Sequence, residues 1–186
     1  MITFGITGSI ASGKTSVARY MAGKKHPLFN ADTVVSNLYK EKKFISILVK
    51  KFNLKLNKKI KPQIKLVLMR NKNNLYKLEK IIHPLVRKEM KIFLKKKNNI
   101  LLLEVPLLAE SKLNKYFDKL IFVNAKKKIR LKRYLKKKGH KKTFNLLDNR
   151  QLSPVIKKRM CDHTINNNYS LAILKKTAKY IIKKYE

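Results

Sequence analysis

The sequence predicts an α/β fold in which helices cover a parallel sheet. Three observations lead to this prediction: short apolar runs that suit buried strands, longer amphipathic stretches between them, and a glycine-containing motif that joins the first strand to the first helix. Strands of a parallel sheet are buried on both faces, so they read as nearly continuous apolar runs. A chain of 186 residues is long enough for one domain with a small insertion.

Four apolar runs are the predicted strands. They cover Ile2 to Ile6, the short pair Leu28-Phe29, Ile100 to Leu103, and Leu120 to Val123. Between the second and third runs lies a long segment with helical periodicity and no strand signal. Its apolar residues recur three or four positions apart, which is typical of one face of a helix. This stripe consists of Leu75, Leu78, Ile82, Leu85, Val86, Met90 and Phe93.

Pro84 lies inside this stripe, and we expect it to kink or divide the helix. After the fourth strand, residues 126–142 are almost wholly basic, with a turn expected at Gly139-His140. The end of the chain predicts another amphipathic helix. Its apolar residues are Leu171, Leu174, Ala178, Ile181, Ile182 and Tyr185.

Residues 8–15 read Gly-Ser-Ile-Ala-Ser-Gly-Lys-Thr and fit G-x-x-x-x-G-K-[ST] at every fixed position. They follow a predicted strand and precede a helix-compatible stretch, which is the context that this motif requires. In such a loop, backbone N–H groups turn inward around an anion, and the helix N-terminus adds its positive dipole end. Lys14 then reaches the β- and γ-phosphates, and the Thr15 hydroxyl binds Mg²⁺. The motif predicts binding of a nucleoside triphosphate.

The chain is strongly basic, with 47 Lys and Arg against 10 Asp and Glu and a formal net charge of +37. A nucleic-acid partner, a heavily phosphorylated substrate, or a nucleotide bias that enriches Lys, Asn and Ile would each explain this charge. Lysine is spread along the whole chain without a basic tail. This distribution favours compositional bias, tolerated by a polyanionic substrate, over a specific nucleic-acid partner.

A single cysteine, Cys161, excludes an intramolecular disulfide and suits a reducing compartment. The first strand begins at Ile2, so we expect no signal or transit peptide. No apolar run approaches the length that spans a membrane. We therefore expect a cytoplasmic protein with no membrane partner.

Two carboxylates follow predicted strands. Asp32 comes just after the second strand, where the ligand crevice of an open α/β sheet lies, and it could accept a proton from an attacking hydroxyl. The alternative is a cap for the helix that begins near Thr33. Glu104 ends the third strand, where the acid that supports Mg²⁺ stands in enzymes with this loop. The alternative role for Glu104 is an ion pair with one of the many lysines. For Asp148 we expect a solvated or helix-capping role.

His83 and two cations have weaker signals. A lone helical histidine such as His83 is more often packed or solvated than functional. Arg133 and Lys137 are four residues apart and so lie on one helical face. They could close on a transferring phosphoryl group and neutralise its oxygens, although a solvated charge run is the usual reading of such stretches.

Taken in order, these segments resemble the dephospho-CoA kinase family, whose members are small-molecule kinases with a phosphate-binding loop. The likeness spans almost the whole chain. The patterns Leu-Glu-x-Ile-x-His-Pro-x-Val and Pro-Leu-Leu-x-Glu are uncommon in other kinases with this loop. The matching segments are residues 5–15, Asn30-Ala31-Asp32, residues 78–86, residues 106–110, Gln151, Cys161-Asp162 and residues 165–167.

The resemblance implies transfer of the ATP γ-phosphoryl group to the ribose 3′-hydroxyl of dephospho-CoA, the final step of coenzyme A biosynthesis. ATP and Mg²⁺ are the implied cofactors, and we expect a monomer. The implied catalytic residues are Asp32 as general base, Lys14 and Arg133. The implied nucleotide-binding residues are Gly8, Ala11, Ser12, Gly13, Lys14, Thr15, Ser16 and Lys137. The implied substrate-binding residues are Asp32, Lys61, His83, Pro106 and Leu107, and the metal-binding residues are Thr15 and Glu104.

Four positions depart from the family pattern. Asn30 replaces the first acid of Asp-Ala-Asp, so Asp32 is the remaining carboxylate there. Ala11 replaces a loop glycine, which is tolerable only where φ is negative. Lys137 and Lys61 stand where the family carries arginines, and a lysine offers a point charge in place of a bidentate fork.

The expected architecture is a P-loop kinase core with a helical substrate-binding insertion and a small basic lid. The core comprises residues 1–32, 100–125 and 151–186, the acceptor-binding insertion residues 33–99, and the lid residues 126–150. A nucleoside or nucleotide kinase is the alternative within enzymes, although it does not account for His83-Pro84 or the Pro-Leu-Leu segment. A nucleic-acid-binding ATPase is suggested by charge alone.

Overall fold

The computed structural model describes residues 1–106, 108 and 113–186, and the side chain of Lys72 is outside this description. Within these residues a five-stranded sheet has the order β2-β3-β1-β4-β5, with every neighbouring pair parallel. The predicted α/β fold with a parallel sheet is therefore confirmed. The strands are β1 (Ile2–Gly8), β2 (Leu28–Asn30), β3 (Ile100–Glu104), β4 (Lys119–Asn124) and β5 (His163–Asn166).

Strand β5 was not predicted from the sequence. It has four residues, only Ile165 among them is buried, and it lies at the edge of the sheet beside β4. An edge strand with one buried side chain carries no apolar run, so the signal that revealed the other four strands is missing here.

The described residues form two compact units. The sheet unit comprises Met1–Asn30 and Lys96–Glu186, and the helical unit comprises Ala31–Lys95. The helices of the sheet unit are α1 (Lys14–Ala22), α6 (Lys127–Lys136), α7 (Lys141–Asn149), α8 (Pro154–Arg159) and α9 (Leu171–Lys183). A short 3₁₀ turn occupies Asn114–Tyr116. The predicted division into core, insertion and lid at residues 32, 99, 125 and 150 stays a prediction.

Alternation along the strands places one set of apolar side chains against α1 and α9. Helix α9 confirms the predicted C-terminal helix, although Leu171 at its first position is exposed. Tyr185, just beyond the helix, packs edge-on against Phe4. The buried members of this core are Phe4, Ile6, Val17, Ala18, Met21, Ala22, Ile100, Leu102, Ile121, Val123, Ile165, Leu174, Ala178, Ile181 and Ile182.

The opposite face of the sheet is covered differently. Gly5 on β1 leaves no room for a side chain, because a Cβ there would clash with Leu108, Phe117 and Leu120. Leu108 and Leu113 in the connection after β3 are buried. The basic stretch after β4 forms α6 and the first residues of α7, and the predicted turn at Gly139-His140 lies between these helices.

The helical unit consists of α2 (Ala31–Leu38), α3 (Lys42–Phe52), α4 (Ile60–Arg70) and α5 (Lys72–Leu94). Its core comprises Leu38, Phe44, Leu48, Leu54, Ile64 and Leu78. Among the described residues, no helix is both long enough and apolar enough to cross a membrane.

Helix α5 continues without interruption through Pro84, so of the two expected outcomes, a kink or a division, the division is wrong. Proline removes one main-chain hydrogen bond and crowds the preceding turn. Leu78, Ile81, Ile82 and Leu85 on the flanking turns all pack into the helical core. This packing holds both halves of the helix in register across the missing bond.

Replacing Pro84 by alanine should therefore stabilise the protein. An alanine restores the main-chain donor to an already helical turn, and we expect the free energy of unfolding to rise by about 1 kcal/mol or more. Lys88→Ala, at another exposed position of the same helix, is the control and should change stability little. Chemical denaturation measures both variants. A Pro84→Ala protein no more stable than Lys88→Ala would contradict an unbroken helix.

Candidate active site

The glycine-containing motif has the predicted strand–loop–helix geometry. Strand β1 ends at Gly8, helix α1 begins at Lys14, and Gly13 is the residue that precedes the helix. Gly13 has φ 98°, a left-handed conformation that glycine adopts without a steric penalty. The amide groups at the start of α1 have no side-chain cap. An anion bound at this helix N-terminus would satisfy them.

Ala11 corrects one expectation. Its φ is 57°, in the left-handed region, whereas we expected alanine to be tolerated only at negative φ. A non-glycine residue in this conformation costs about 1–2 kcal/mol because Cβ crowds the following carbonyl. The loop keeps the glycine-like backbone although the glycine is absent. The surrounding contacts therefore determine this conformation.

Lys14 is buried at the start of α1, 9% exposed. Its ammonium group donates to the carbonyl oxygens of Gly8 and Ser9, at 3.0 and 3.1 Å. Ser12 is fully buried, and its hydroxyl has no hydrogen-bond partner among the described residues. Ser16 is half-buried in the first turn of α1. The Lys14 side chain therefore lies along the same loop whose main chain would surround an anion.

Thr15, Glu104 and Asn30 form a hydrogen-bonded chain at the carboxyl ends of the strands. The Thr15 hydroxyl donates to Glu104 Oε1 at 2.7 Å, and the Asn30 amide donates to Glu104 Oε2. Glu104 is only 2% exposed. The register of the sheet pairs Asn30 with Glu104, so β2 and β3 end together here, whereas β1 continues for two residues beyond Ile6, the other partner of Glu104. Thr15 and Asn30 are therefore two of the hydrogen-bond partners of Glu104.

Oxygen donors of this kind suit a hard cation such as Mg²⁺. In the part of the chain that is described, no group of three or more His, Cys, Asp and Glu side chains could hold a metal ion. A magnesium ion here would therefore take few ligands from the protein and the others from phosphate and water, as Mg²⁺ commonly does.

A second polar cluster holds the loop at Ile10. The Ile10 amide donates to Gln151 Oε1 at 2.9 Å, and the Ile10 carbonyl accepts from Arg130 Nη1 at 3.3 Å. Arg130 is 4% exposed and forms an ion pair with Asp148 at 2.6 Å. Burial alone would raise the pKa of Asp148, but its hydrogen bonds and ion pairs with Arg130 and Lys127 lower that pKa below its usual value. Asp148 is therefore a structural partner, not the solvated or capping acid that we expected.

Arg133 lies in α6 beside the other end of the loop. Its Nη2 donates to the backbone oxygen and to Oδ1 of Asn167, at 3.1 and 3.2 Å. Burial lowers the pKa of the Arg133 guanidinium. Lys137 is the exposed residue that directly follows α6, four residues after Arg133. The roles of both cations stay predictions.

Three predicted site residues belong to the helical unit. Asp32 is exposed in the first turn of α2, inside the helix and not before it as a capping residue would be. Lys61 near the start of α4 places its ammonium group 5.2 Å from the ring centroid of Tyr39. His83 is half-buried in α5. Their functions stay predictions.

Pro106 follows β3 by two residues, and its carbonyl accepts from the Thr7 hydroxyl at 3.3 Å. The predicted contact Leu107, together with Glu110 of the same motif, lies outside the described residues.

Sequence reasoning gave no role to the residues that hold the loop. Gln151, Asp162 and Asn167 are part of the late family pattern, and that pattern was the only signal for them. The structure gives Gln151 and Asn167 contacts with the loop. Asp162 Oδ2 accepts from the amide of Leu120 in β4 at 2.8 Å. Nothing in the sequence distinguished Arg130 from the lysines around it.

A sequence profile of dephospho-CoA kinase matches residues 2–172. The chain belongs to the dephospho-CoA kinase family. It is 31% identical over 193 residues to the dephospho-CoA kinase of Bartonella henselae, with 98% of this chain and 97% of that protein covered. The resemblance found in the sequence motifs is confirmed.

Two solved structures show the fold of this dephospho-CoA kinase family member. A protein from Thermus thermophilus has a TM-score of 0.80 and 22% identity, covering 98% of this chain and 97% of its own. The dephospho-CoA kinase of Campylobacter jejuni has a TM-score of 0.64 and 22% identity, covering 99% and 97%. The predicted P-loop kinase fold is confirmed.

Because Ala11 has a left-handed backbone, Ala11→Gly should stabilise the protein. The relief of about 1–2 kcal/mol is partly offset by the greater freedom of glycine in the unfolded chain, about 0.4–1 kcal/mol. Ala22→Gly, at the last helical position of α1, is the control and should destabilise by about 1 kcal/mol. Urea unfolding of both variants measures the difference. Equal losses of stability in the two variants would contradict the strain at Ala11.

Proposed function

We propose that this chain transfers the γ-phosphoryl group of ATP to the ribose 3′-hydroxyl of dephospho-CoA and so completes coenzyme A biosynthesis. The observation that carries the proposal is the loop of residues 8–15, with Lys14 along it and Thr15 bonded to Glu104, in a chain of the dephospho-CoA kinase family. The loop would bind the phosphates of ATP. Membership of the family supports dephospho-CoA as the acceptor.

ATP binding rests on main-chain groups of the loop. Residues Gly8 to Ser16 present backbone amides and the N-terminus of α1 to the triphosphate. The Lys14 ammonium, which now contacts two loop carbonyls, exchanges them for phosphate oxygens. Such a group acts as a positioned positive charge, because phosphoryl transfer depends chiefly on alignment and charge neutralisation.

Thr15 and Glu104 are the residues that would hold Mg²⁺. Thr15 offers its hydroxyl oxygen, and Glu104 offers a buried carboxylate within hydrogen-bond distance of that hydroxyl. When bound, the ion neutralises charge that develops on the phosphate oxygens. The Asn30 amide fixes the second oxygen of Glu104, so this carboxylate has one orientation.

Asp32 is the proposed general base. Its carboxylate is exposed at the start of α2 and is available to accept the proton of the ribose 3′-hydroxyl. The proposed contacts with the acceptor come from Lys61, His83, Pro106 and Leu107. Lys61 suits a phosphate of dephospho-CoA, because it is an exposed, positively charged residue.

Arg133 and Lys137 supply the remaining positive charge. We place them in a basic lid of residues 126–150, which closes over the phosphates and excludes water. Both substrates are polyanions, so the net charge of +37 attracts them without any specific nucleic-acid site. We further propose that the protein is cytoplasmic and monomeric.

The test is release of ADP by the purified protein with dephospho-CoA, compared with adenosine, AMP and shikimate. Turnover that requires dephospho-CoA supports the proposal. Turnover with a nucleoside or nucleotide alone would identify the alternative kinase. ATP hydrolysis without a small acceptor, together with stoichiometric nucleic-acid binding that weakens steeply with salt, would identify a nucleic-acid-binding ATPase.

Asp32→Asn should lower kcat by about 100-fold or more, because it removes the proton acceptor and keeps the shape of the side chain. Affinity for ATP should be nearly unchanged. Glu89→Gln removes one negative charge at an exposed position of the helical unit and is the matched control. Steady-state kinetics with dephospho-CoA measures both variants. Unchanged turnover in Asp32→Asn would rule out its role as the base.

The metal assignment predicts a graded series at Thr15 and Glu104. Thr15→Ser keeps the hydroxyl and should retain activity, whereas Thr15→Val and Glu104→Gln should each raise the Mg²⁺ concentration for half-maximal activity about tenfold or more. Magnesium titrations and calorimetry of Mg·ATP binding measure the series. Identical magnesium dependence in all three variants would refute the assignment.

A further inference from the structure

Asn167 follows the last strand directly and is buried, 3% exposed. Its backbone amide donates to the carbonyl of Asn124 at the end of β4, at 2.7 Å. The adjacent Asn166, by contrast, is exposed, and its Oδ1 accepts from the Asn124 side chain at 3.0 Å. The main chain at Asn167 is therefore fixed to the sheet, and its side chain has a defined direction.

The amide nitrogen of Asn167 holds the phosphate-binding loop. Nδ2 donates to the carbonyl oxygen of Ser12 at 2.7 Å in a buried hydrogen bond. The same nitrogen occupies the space beside Gly13, where a Cβ would overlap it. Gly13 therefore has to be glycine for two reasons, its φ of 98° and the presence of Asn167. The sequence positions that meet here are more than 150 apart.

The oxygen atoms of Asn167 hold Arg133. Nη2 of Arg133 donates to the backbone oxygen of Asn167 at 3.1 Å and to Oδ1 at 3.2 Å. Nη1 of Arg133 reaches the same Ser12 carbonyl at 3.5 Å. One guanidinium and one side-chain amide thus converge on a single peptide of the loop.

We propose that Asn167 is a positioning residue, which fixes the Ser12-Gly13 peptide of the nucleotide loop and holds Arg133 beside it. This inference rests on the proposed kinase function and deepens it. Asn167 couples two parts of the reaction: the shape of the loop that binds the triphosphate, and the location of the cation that neutralises the transferring group.

An asparagine is suited to this position because its amide donates and accepts at once without a charge. An aspartate would still accept from Arg133, but it would direct a carboxylate oxygen at the Ser12 carbonyl. An alanine would remove the Nδ2 bond to Ser12 and the Oδ1 contact with Arg133, and would keep the contact of Arg133 with the backbone oxygen of residue 167. The two substitutions therefore separate the loop contact from the arginine contact.

The test is a double-mutant cycle between Asn167→Ala and Arg133→Ala, with Asn166→Ala as the matched control. Affinity for ATP without acceptor and kcat with dephospho-CoA are measured for each protein. Asn167→Ala should weaken ATP binding about tenfold, as expected for loss of one buried hydrogen bond. It should lower kcat about tenfold in the wild-type background and less than about twofold in the Arg133→Ala background. Asn166→Ala should change neither quantity.

Equal losses of kcat in both backgrounds would overturn the coupling to Arg133, and unchanged ATP affinity would overturn the loop contact. Should Asn167→Ala fail to fold, Asn167→Asp gives the answer: weaker ATP binding supports the proposal, and wild-type ATP binding refutes it. If the wild-type protein binds ATP but does not use dephospho-CoA, the proposed function fails, whereas the binding measurements still decide the role of Asn167.

Discussion

Main-chain amides can bind phosphate only if the loop that carries them keeps one conformation, and the rest of the sheet unit is arranged around this constraint. The loop of residues 8–15 is fixed from the sheet side by the end of β1 and from the helix side by Gly13. Between these points Gln151 and Arg130 hold the Ile10 peptide, and Asn167 holds Ser12. Each of these contacts is made to a backbone group, so together they fix the path of the loop at Ile10 and at Ser12. This explains how Ala11 can occupy a conformation that favours glycine.

The second general feature of this protein is that it has few carboxylates. Only 10 acids accompany 47 basic residues, and several of the described acids have defined structural partners. Asp118 accepts from the Thr3 amide and hydroxyl at 2.8 and 2.7 Å, and these hydrogen bonds lower its pKa. Asp162 holds the start of β4, Asp148 holds Arg130, and Glu104 joins Thr15 to Asn30. These few acids therefore stand in the sheet, beside the loop and at the proposed metal site.

The strands, the loop and the family could be predicted because each is recognised from residues that are close together in the sequence. Apolar runs identified β1 to β4, and eight consecutive residues identified the phosphate loop. Strand β5 and the unbroken α5 were not predicted, because an edge strand lacks an apolar run and because packing around Pro84 outweighs its local preference. Thr15 and Glu104 were predicted separately from their places in the sequence, and the structure brings their side chains within 2.7 Å.

The sequence by itself determined the α/β class, the nucleotide loop and membership of the dephospho-CoA kinase family, since motif spacing and periodicity are properties of neighbouring residues. Only the tertiary structure decided which side chains fix that loop. Asn167 and Ser12 are 155 positions apart, and no local pattern records that they share a hydrogen bond. Such a contact depends on the order of strands in the sheet, which brings the end of β5 beside the end of β4 and so to the loop after β1.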